Sequence, residues 1–572
     1  MDIKVLKRLR PGGTEDTTAL LLAAAGFFVS NPALHLSIWG KATVGIWASA
    51  LCGAHFYIRA KDAFGLKQYF PSKLKIRSSP PPELKEGEIG FLLGYIVDTG
   101  EPLIIPMDDA VRHMSIVGQS GVGKTVFGTL LMHQQIGSGG GLVFMDGKLD
   151  SKTLLEIYRI AAFHGREHDV LVINPGDPSM SNLYNPIQYG DPDEVGDRIV
   201  GLIPSTDTEA GADHYKQSAK QAVTTLVRAL KKTGMSYTFI DLVLLLSSPQ
   251  DLTALEAMLP PCDEKVQLQI FLDQYRVPDK NGDKTIDMKR LKETFGGIGG
   301  RLYSFGTGSF GEVMNTVSPE IRLFEAMKNN KIIYVMMPTM GKPETASMFG
   351  KMFLGDARTS FSWLQKLQDH LKPNPPLLFF MDELGSYATP ALSRPFEQNR
   401  SASVILAAAY QTYANLEAVS KEFSQMTLGN TWVKVFFKPG SQDTAEQSAE
   451  MIGMENTVMD SISMSGGQGV SAKAAGSAPE SGNSENESMG FSEKQQETYK
   501  VSPDDIKALD KGEAIVTVGG DKLYHIRVPL ISFDSEFKRQ HPTANLNRFR
   551  MPWAKGIDLF GRAKKKKELH AD

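Results

Sequence analysis

Apolar residues fall into three patterns along this chain, and each predicts a different kind of element. Short uninterrupted runs recur in "HMSIVG", "GGLVFMDGK", "DVLVINP", "KIIYVMMP", "PLLFFMDE", "ASVILAAAYQ" and "TWVKVFFKP". Runs of this length and composition read as strands buried on both faces. Helically spaced segments, "TVFGTLLMHQQI" and "LLEIYRIAAFHG", lie between the early ones. This alternation specifies an α/β fold, a parallel sheet with helices on its faces. Ahead of it, "GEIGFLLGYIVDTGEPLIIP" predicts paired strands about a Gly-Glu-Pro turn.

From about Asn185 the second pattern takes over. "ADHYKQSAKQAVTTLVRALKKTG", "TFIDLVLLLSS", "PQDLTALEAML" and "VQLQIFLDQYR" carry helical spacing and few strand signals. An all-α domain over 185–330 is therefore expected to interrupt the α/β domain, whose two parts span 86–184 and 331–540. The third pattern is N-terminal. From Thr17 to Ile58 the only formally charged residue is Lys41. A bilayer core needs about 20 apolar residues per helix, so residues 1–60 predict a transmembrane hairpin with a tight turn. Lys4, Lys7, Arg8 and Arg10 precede it, and Arg59, Lys61, Lys67, Lys73, Lys75 and Arg77 follow it. Positive flanks stay cytoplasmic, which places both termini and everything beyond residue 60 on that side.

Polar segments fill the remainder. Residues 61–85 end in a proline-rich stretch that reads as a linker. "SISMSGGQGVSAKAAGSAPESGNSENESMG" is Ser/Gly/Glu-rich and predicts a disordered loop over 462–498, since it offers little apolar surface to offset ordering entropy. "SPDDIKALDKGEAIVTVGGDKLYHIRVPL" predicts a short helix and a strand pair returning to the sheet. Residues 541–572, ending "RAKKKKELHAD", form a basic tail. "DKNGDKTID" resembles the start of a calcium loop, but Lys284 stands where Gly is required and Arg290 where Glu is; it reads as a polar loop.

Composition narrows this picture little. A chain of 572 residues is too long for one core. A net charge of −3 argues against a histone-like protein but not against a locally basic channel. Two cysteines, Cys52 and Cys262, cannot build a zinc site or a disulfide framework.

The chemistry starts at "GQSGVGKT". Gly118, Gln119, Ser120, Gly121, Val122, Gly123, Lys124 and Thr125 match the P-loop spacing in full, after a strand and before a helix. Backbone N–H groups and the helix N-terminus would cradle phosphates. Lys124 would bridge the β- and γ-phosphates, and Thr125 would ligate Mg2+. "LLFFMDELG" delivers Asp382 and Glu383 to the carboxyl end of a strand, where open α/β sheets place ligands. Asp382 is expected to hold the Mg2+ shell and Glu383 to polarise the attacking water. Gln411, ending the next apolar strand, is a candidate γ-phosphate sensor. Arg400 is a candidate arginine finger toward a neighbouring subunit, with Arg394 competing for the role.

Taken in order, the apolar hairpin, "GQSGVGKT", the helical insertion, "FFMDELGSY" and "AAAYQT" resemble the TraD/TraG-type coupling proteins of type IV secretion and conjugation. "SPDDIKALDKGEAIV" and "KLYHIRVPL" resemble that family's closing segment. The likeness runs from residue 17 to about 530. It implies a RecA-like ATPase using ATP and Mg2+, assembled as a homo-hexamer under the bacterial inner membrane. It further implies that relaxase-bound single-stranded DNA, or protein substrates, are handed to the secretion channel. By that resemblance Lys124, Thr125, Asp382, Glu383, Gln411 and Arg400 carry over. A very short loop between the two apolar helices and the lack of a long C-terminal tail depart from the family pattern. Two alternatives stand beside this reading: a receptor for protein effectors, and an FtsK-like double-stranded DNA translocase. The latter would bring more membrane helices and a winged-helix DNA reader, neither of which is visible.

Overall fold

The computed structural model describes Leu74 and residues 76–203, 210–278, 284–467 and 486–549. The expected transmembrane hairpin, most of the expected linker and the basic tail beyond residue 549 lie outside the described residues. Among the described residues, no helix is long and apolar enough to cross a membrane.

Strands β1 (Gly90–Ile96) and β2 (Pro102–Pro106) open the domain, followed by β3 (Met114–Val117), β4 (Leu142–Asp146) and β5 (Val170–Ile173). A small hairpin, β6 (Arg276–Pro278) and β7 (Lys284–Ile286), sits in the helical region. The sheet resumes with β8 (Ile332–Met336), β9 (Leu377–Met381), β10 (Val404–Tyr410) and β11 (Val433–Phe437). A second hairpin pairs β12 (Met454–Gly467) with β13 (Asn486–Tyr499), and β14 (Glu513–Val518) and β15 (Lys522–Arg527) close the order.

Eleven of these form one sheet in the order β2-β1-β15-β14-β11-β3-β10-β9-β4-β8-β5. The strands from β11 to β5 are mutually parallel, as the apolar runs predict. From β14 outward, pairing is antiparallel, so the sheet is mixed. Successive residues of the parallel strands serve two separate cores. Val143 and Met145 pack on one face and Phe144 on the other; likewise Ile333 and Val335 oppose Ile332, Tyr334 and Met336. Burial on both faces explains why these strands read as continuous apolar runs rather than alternating ones. Helices α1 (Lys124–Gly137) and α2 (Ser151–Phe163) cover one face.

Between β5 and β8 the chain is mainly helical, including α3 (Pro192–Val200), α4 (Ala210–Lys232) and α5 (Met288–Gly306). The start of α3 is written in "DPDE": Pro192 occupies the first turn, and Asp191 and Glu194 form a reciprocal capping box. This region is not purely helical, because β6 and β7 flank the polar stretch 279–283. Its junction with the sheet is tied by α6 (Pro343–Lys366), where Asp356 is held by Arg198 of α3 at 3.1 Å and by the Tyr184 hydroxyl at 2.6 Å.

Two expectations from the sequence need revision. The polar stretch 462–498 is not structureless at its flanks, since β12 and β13 pair along their whole length. The register sets Ile462 opposite Phe491 and Met464 opposite Met489; this period-two pattern is diluted by Ser and Gly and so escapes a composition reading. Nor is the end of the linker free. Ser79 N donates to Leu523 O at 2.7 Å, and Leu523 N and His525 N donate to the hydroxyls of Ser79 and Ser78. β1 overlaps β15 only at Arg527 and Ile526, so residues 78–80 satisfy the edge that β1 leaves open.

Candidate nucleotide site

Strand register assembles the site. Val117 pairs with Tyr410, Ala408 with Met381, and Met145 with Met381. The residues that follow these strand ends therefore emerge at one edge of the sheet: Gly118, Gln411, Asp382 with Glu383, and Gly147 with Lys148. This is the carboxyl edge at which parallel sheets bind ligands.

The loop from Gly118 to Gly123 is gripped on both sides. Gly118, Gly121 and Gly123 have φ of 157°, 81° and 128°, a region that L side chains rarely enter. A Cβ on Gly118 would lie 2.6 Å from that of Phe437, and one on Gly123 would lie 3.3 Å from the Gly512 Cα. Gln119 N donates to Lys438 O at 3.0 Å, and Gly512 N to Val122 O at 2.9 Å. Lys124 begins α1 and is buried. Its ammonium donates to the carbonyls of Gly118 and Gln119, inside the curl of the loop. Burial lowers its pKa against the pull of Asp382 and Glu383. A buried cation served only by loop carbonyls, beneath a glycine cradle and a helix N-terminus, has the chemistry of a phosphate site. Thr125 is exposed at the first turn of α1.

Asp382 is 6% exposed, and its backbone is anchored by the Tyr387 hydroxyl, which donates to Asp382 O at 2.8 Å. Its carboxylate accepts from Glu383 N at 3.1 Å, while the Lys148 ammonium stands 3.7 Å away. Burial raises its pKa, with Glu383 and Asp146 adding to the rise and Lys148 opposing it. A buried carboxylate at the carboxyl edge, beside the P-loop, suits a divalent cation with its water shell.

Glu383 adopts the left-handed conformation, φ 56°, which is costly for a residue with a side chain and typical of functional sites. Gln411 Nε2 donates to its Oε1 at 2.8 Å, and the Lys148 ammonium lies 2.7 Å from the same oxygen. Burial pushes its pKa up, but these two hydrogen bonds and the charges of Lys148 and Lys124 bring it below the ordinary value. Asp146 is committed elsewhere: it accepts from Lys148 N and Asp150 N at 2.8 Å each, and from the Tyr334 hydroxyl at 2.7 Å.

The structure thus brings the P-loop, Asp382, Glu383 and Gln411 together. Arg400 lies at the other edge: it precedes the first residue of β10 and is exposed, as is Arg394. Lys148 escaped the sequence reading. The signal was a lysine two residues past a strand-ending aspartate in "MDGKLD", which reads equally as a solvated turn.

The family model described as "TraM recognition site of TraD and TraG" matches residues 376–511, the stretch that holds Asp382, Glu383 and Gln411. The type 4 coupling protein DotL of Legionella pneumophila is 24% identical over 462 residues. The chain is similar to type IV coupling proteins over most of its length. The DotL alignment takes in 73% of this chain and 58% of DotL, so the chain spans little more than half that relative's length. Among solved structures, the coupling protein TrwB in complex with the ATP analogue ADPNP superposes with a TM-score of 0.54 at 15% identity, over 82% of this chain and 97% of TrwB. TrwB in complex with ADP and Mg2+ gives 0.53 at 14% identity, over 78% and 90%. At this identity the likeness establishes the coupling-protein fold, a RecA-like domain with a mixed sheet and helical insertions.

Proposed function

We propose that this chain is an ATP-hydrolysing coupling protein that recruits relaxase-bound single-stranded DNA to a type IV secretion channel and drives its transfer. The observation that carries the reading is the convergence, at one sheet edge, of a complete P-loop, a buried carboxylate and a second carboxylate held by Gln411. Backbone N–H groups of residues 118–124 bind the phosphates, and Lys124 leaves the loop carbonyls to bridge the β- and γ-phosphates. Thr125 and Asp382 would hold Mg2+, which when bound neutralises charge on the triphosphate. Glu383 takes a proton from water as the water oxygen bonds to the γ-phosphorus. The bond from that phosphorus to the β–γ bridging oxygen breaks, giving ADP and inorganic phosphate. Gln411, bonded to Glu383, reports the state of the γ-phosphate along β10. Arg400 acts on a neighbouring subunit's site in a homo-hexamer, and the N-terminal hairpin anchors the ring to the inner membrane.

DNA would be gripped through its phosphates, without regard to sequence. The test is the ATPase rate of the full chain, purified in detergent, with and without single- or double-stranded DNA. Single-stranded DNA is expected to raise the rate severalfold, with the effect fading as salt rises. A demonstrably hexameric preparation indifferent to both DNAs would refute DNA translocation and leave protein cargo in its place.

A further inference from the structure

Glu383 is arranged in a way that a general base cannot be while it works. The Lys148 ammonium lies 2.7 Å from Glu383 Oε1, and Gln411 donates to that same oxygen at 2.8 Å. A carboxylate neutralised by an ammonium at contact distance has lost the charge that draws a proton from water. Some competing anion must draw Lys148 away before Glu383 can serve.

The lysine is built to move. Its backbone is fixed, because Lys148 N and Asp150 N both donate to the Asp146 carboxylate and the Thr339 hydroxyl donates to Gly147 O. Its side chain is 42% exposed, on a stem with four rotatable bonds and a compact charge. Gly147 lets it sit this close to the acidic pair: a Cβ there would come within 3.0 Å of the Glu383 Cβ. Lys148 also stands near enough to Lys124 for the two charges to disfavour each other. Two ammonium groups therefore share this edge of the sheet. One belongs to the P-loop, and the other is parked on the base.

We propose that Lys148 is a γ-phosphate switch, which neutralises Glu383 until a triphosphate occupies the P-loop and then transfers its ammonium to the terminal phosphate, freeing Glu383 to accept the proton of the attacking water. Lys148 thereby becomes a catalytic residue that couples triphosphate recognition to release of the base. A diphosphate has no γ-phosphate to attract it, so the site would discriminate the two nucleotides before any chemistry. The proposal rests on the P-loop reading.

The test is equilibrium binding of ADP and of a non-hydrolysable ATP analogue to the full chain, alongside steady-state hydrolysis of ATP. Lys148→Met is expected to bind ADP within about twofold of the unsubstituted chain but to bind the analogue about tenfold less tightly, the scale of a lost charge-assisted contact. Its kcat should fall, and Lys148→Arg should restore most of the preference for the analogue. Thermal melting of each variant shows whether the fold is kept. An unchanged analogue-to-ADP ratio in a folded Lys148→Met chain overturns the proposal, leaving a static ion pair. An equal loss for both nucleotides overturns it too, because Lys148 would then only shape the pocket. Lys124→Ala separates the underlying reading: if the unsubstituted chain binds neither nucleotide, or Lys124→Ala binds both normally, it is the P-loop assignment that falls.

Discussion

At the scale of single residues, the site is a contest among charges. Glu383 is held in the left-handed conformation between a lysine and a glutamine, while Asp382 beside it is buried with its proton affinity raised. Adjacent carboxylates in unlike surroundings take unlike roles. Glu383→Gln is accordingly expected to keep nucleotide affinity within a few fold and to lose at least about 100-fold in kcat, the usual worth of a general base. Nucleotide titration and steady-state turnover on one preparation check both halves, and a turnover loss of less than tenfold would remove Glu383 from the role of base. Asp382, Glu383 and Gln411 were legible in the sequence because each sits beside the end of an apolar strand, where such sheets do chemistry, and Lys124 because the P-loop spacing marks it. Lys148 was not, since its meaning depends on register: only when Met145 aligns with Met381 does a lysine three residues on face an acid two residues on.

At the scale of elements, the P-loop is supported by parts remote in sequence. β14 and β15 deliver Gly512 to the carbonyl of Val122, and a buried cluster holds that corner. Glu513 is 1% exposed, with Arg527 at 2.9 Å and His525 at 3.5 Å from its carboxylate. Burial would raise the Glu513 pKa, but the neighbouring His525, the Asp510 backbone and Arg527 pull it below the ordinary value. A depressed carboxylate stabilises the fold above its unfolded pKa of about 4.3, and that stabilisation is lost as pH falls through the folded value. Glu513→Gln should therefore cost about 1.5–3 kcal/mol near neutral pH, the scale of hydrogen bonds to a charged group. The difference in melting midpoint should shrink below about pH 4, where the unsubstituted carboxylate also takes a proton. A gap that stays constant from pH 7 to pH 3 would show that shape, not charge, is what the substitution removes. The strand pair was readable from its alternation, whereas β12 and β13 were hidden because Ser and Gly mask a period of two.

At the scale of the whole molecule, the sheet and the helical region are joined through a buried ion pair. The junction contains Arg198, buried against Asp356 at 3.1 Å and hydrogen-bonded to the Thr359 hydroxyl at 3.0 Å, while the Tyr184 hydroxyl holds the other Asp356 oxygen. Burial raises the Asp356 pKa, and Arg198 opposes that rise most strongly. Asp356→Asn leaves a buried guanidinium without its counter-charge, a change expected to cost about 3–5 kcal/mol. The melting midpoint should fall by several degrees while nucleotide affinity at the distant P-loop stays within about twofold. Loss of nucleotide binding in a variant that still melts cooperatively would show that the junction and the site are coupled more tightly than their separation implies.

The last question at this scale is how one chain could complete its neighbour's site. Arg400 precedes β10 and the proposed catalytic groups lie beyond its end; seven strand residues at roughly 3.3 Å each put about 20 Å between the two edges. An arginine side chain cannot span that distance, so Arg400 cannot act on its own P-loop. In a closed ring of head-to-tail interfaces, however, one edge of a subunit can face the other edge of the next. Arg400→Ala should therefore abolish hydrolysis while sparing nucleotide binding, and Lys124→Ala should abolish both. Mixed in equal amounts and allowed to reassemble, the two inactive chains should recover activity. About a quarter of the interfaces would then join an intact P-loop to an intact arginine, if subunits exchange at random. Arg394→Ala in place of Arg400→Ala provides the control, because it is equally exposed and lies in the same segment. Recovery with one arginine variant and not the other identifies the finger. Activity that never returns in a mixture shown to exchange subunits would mean that neither arginine reaches across.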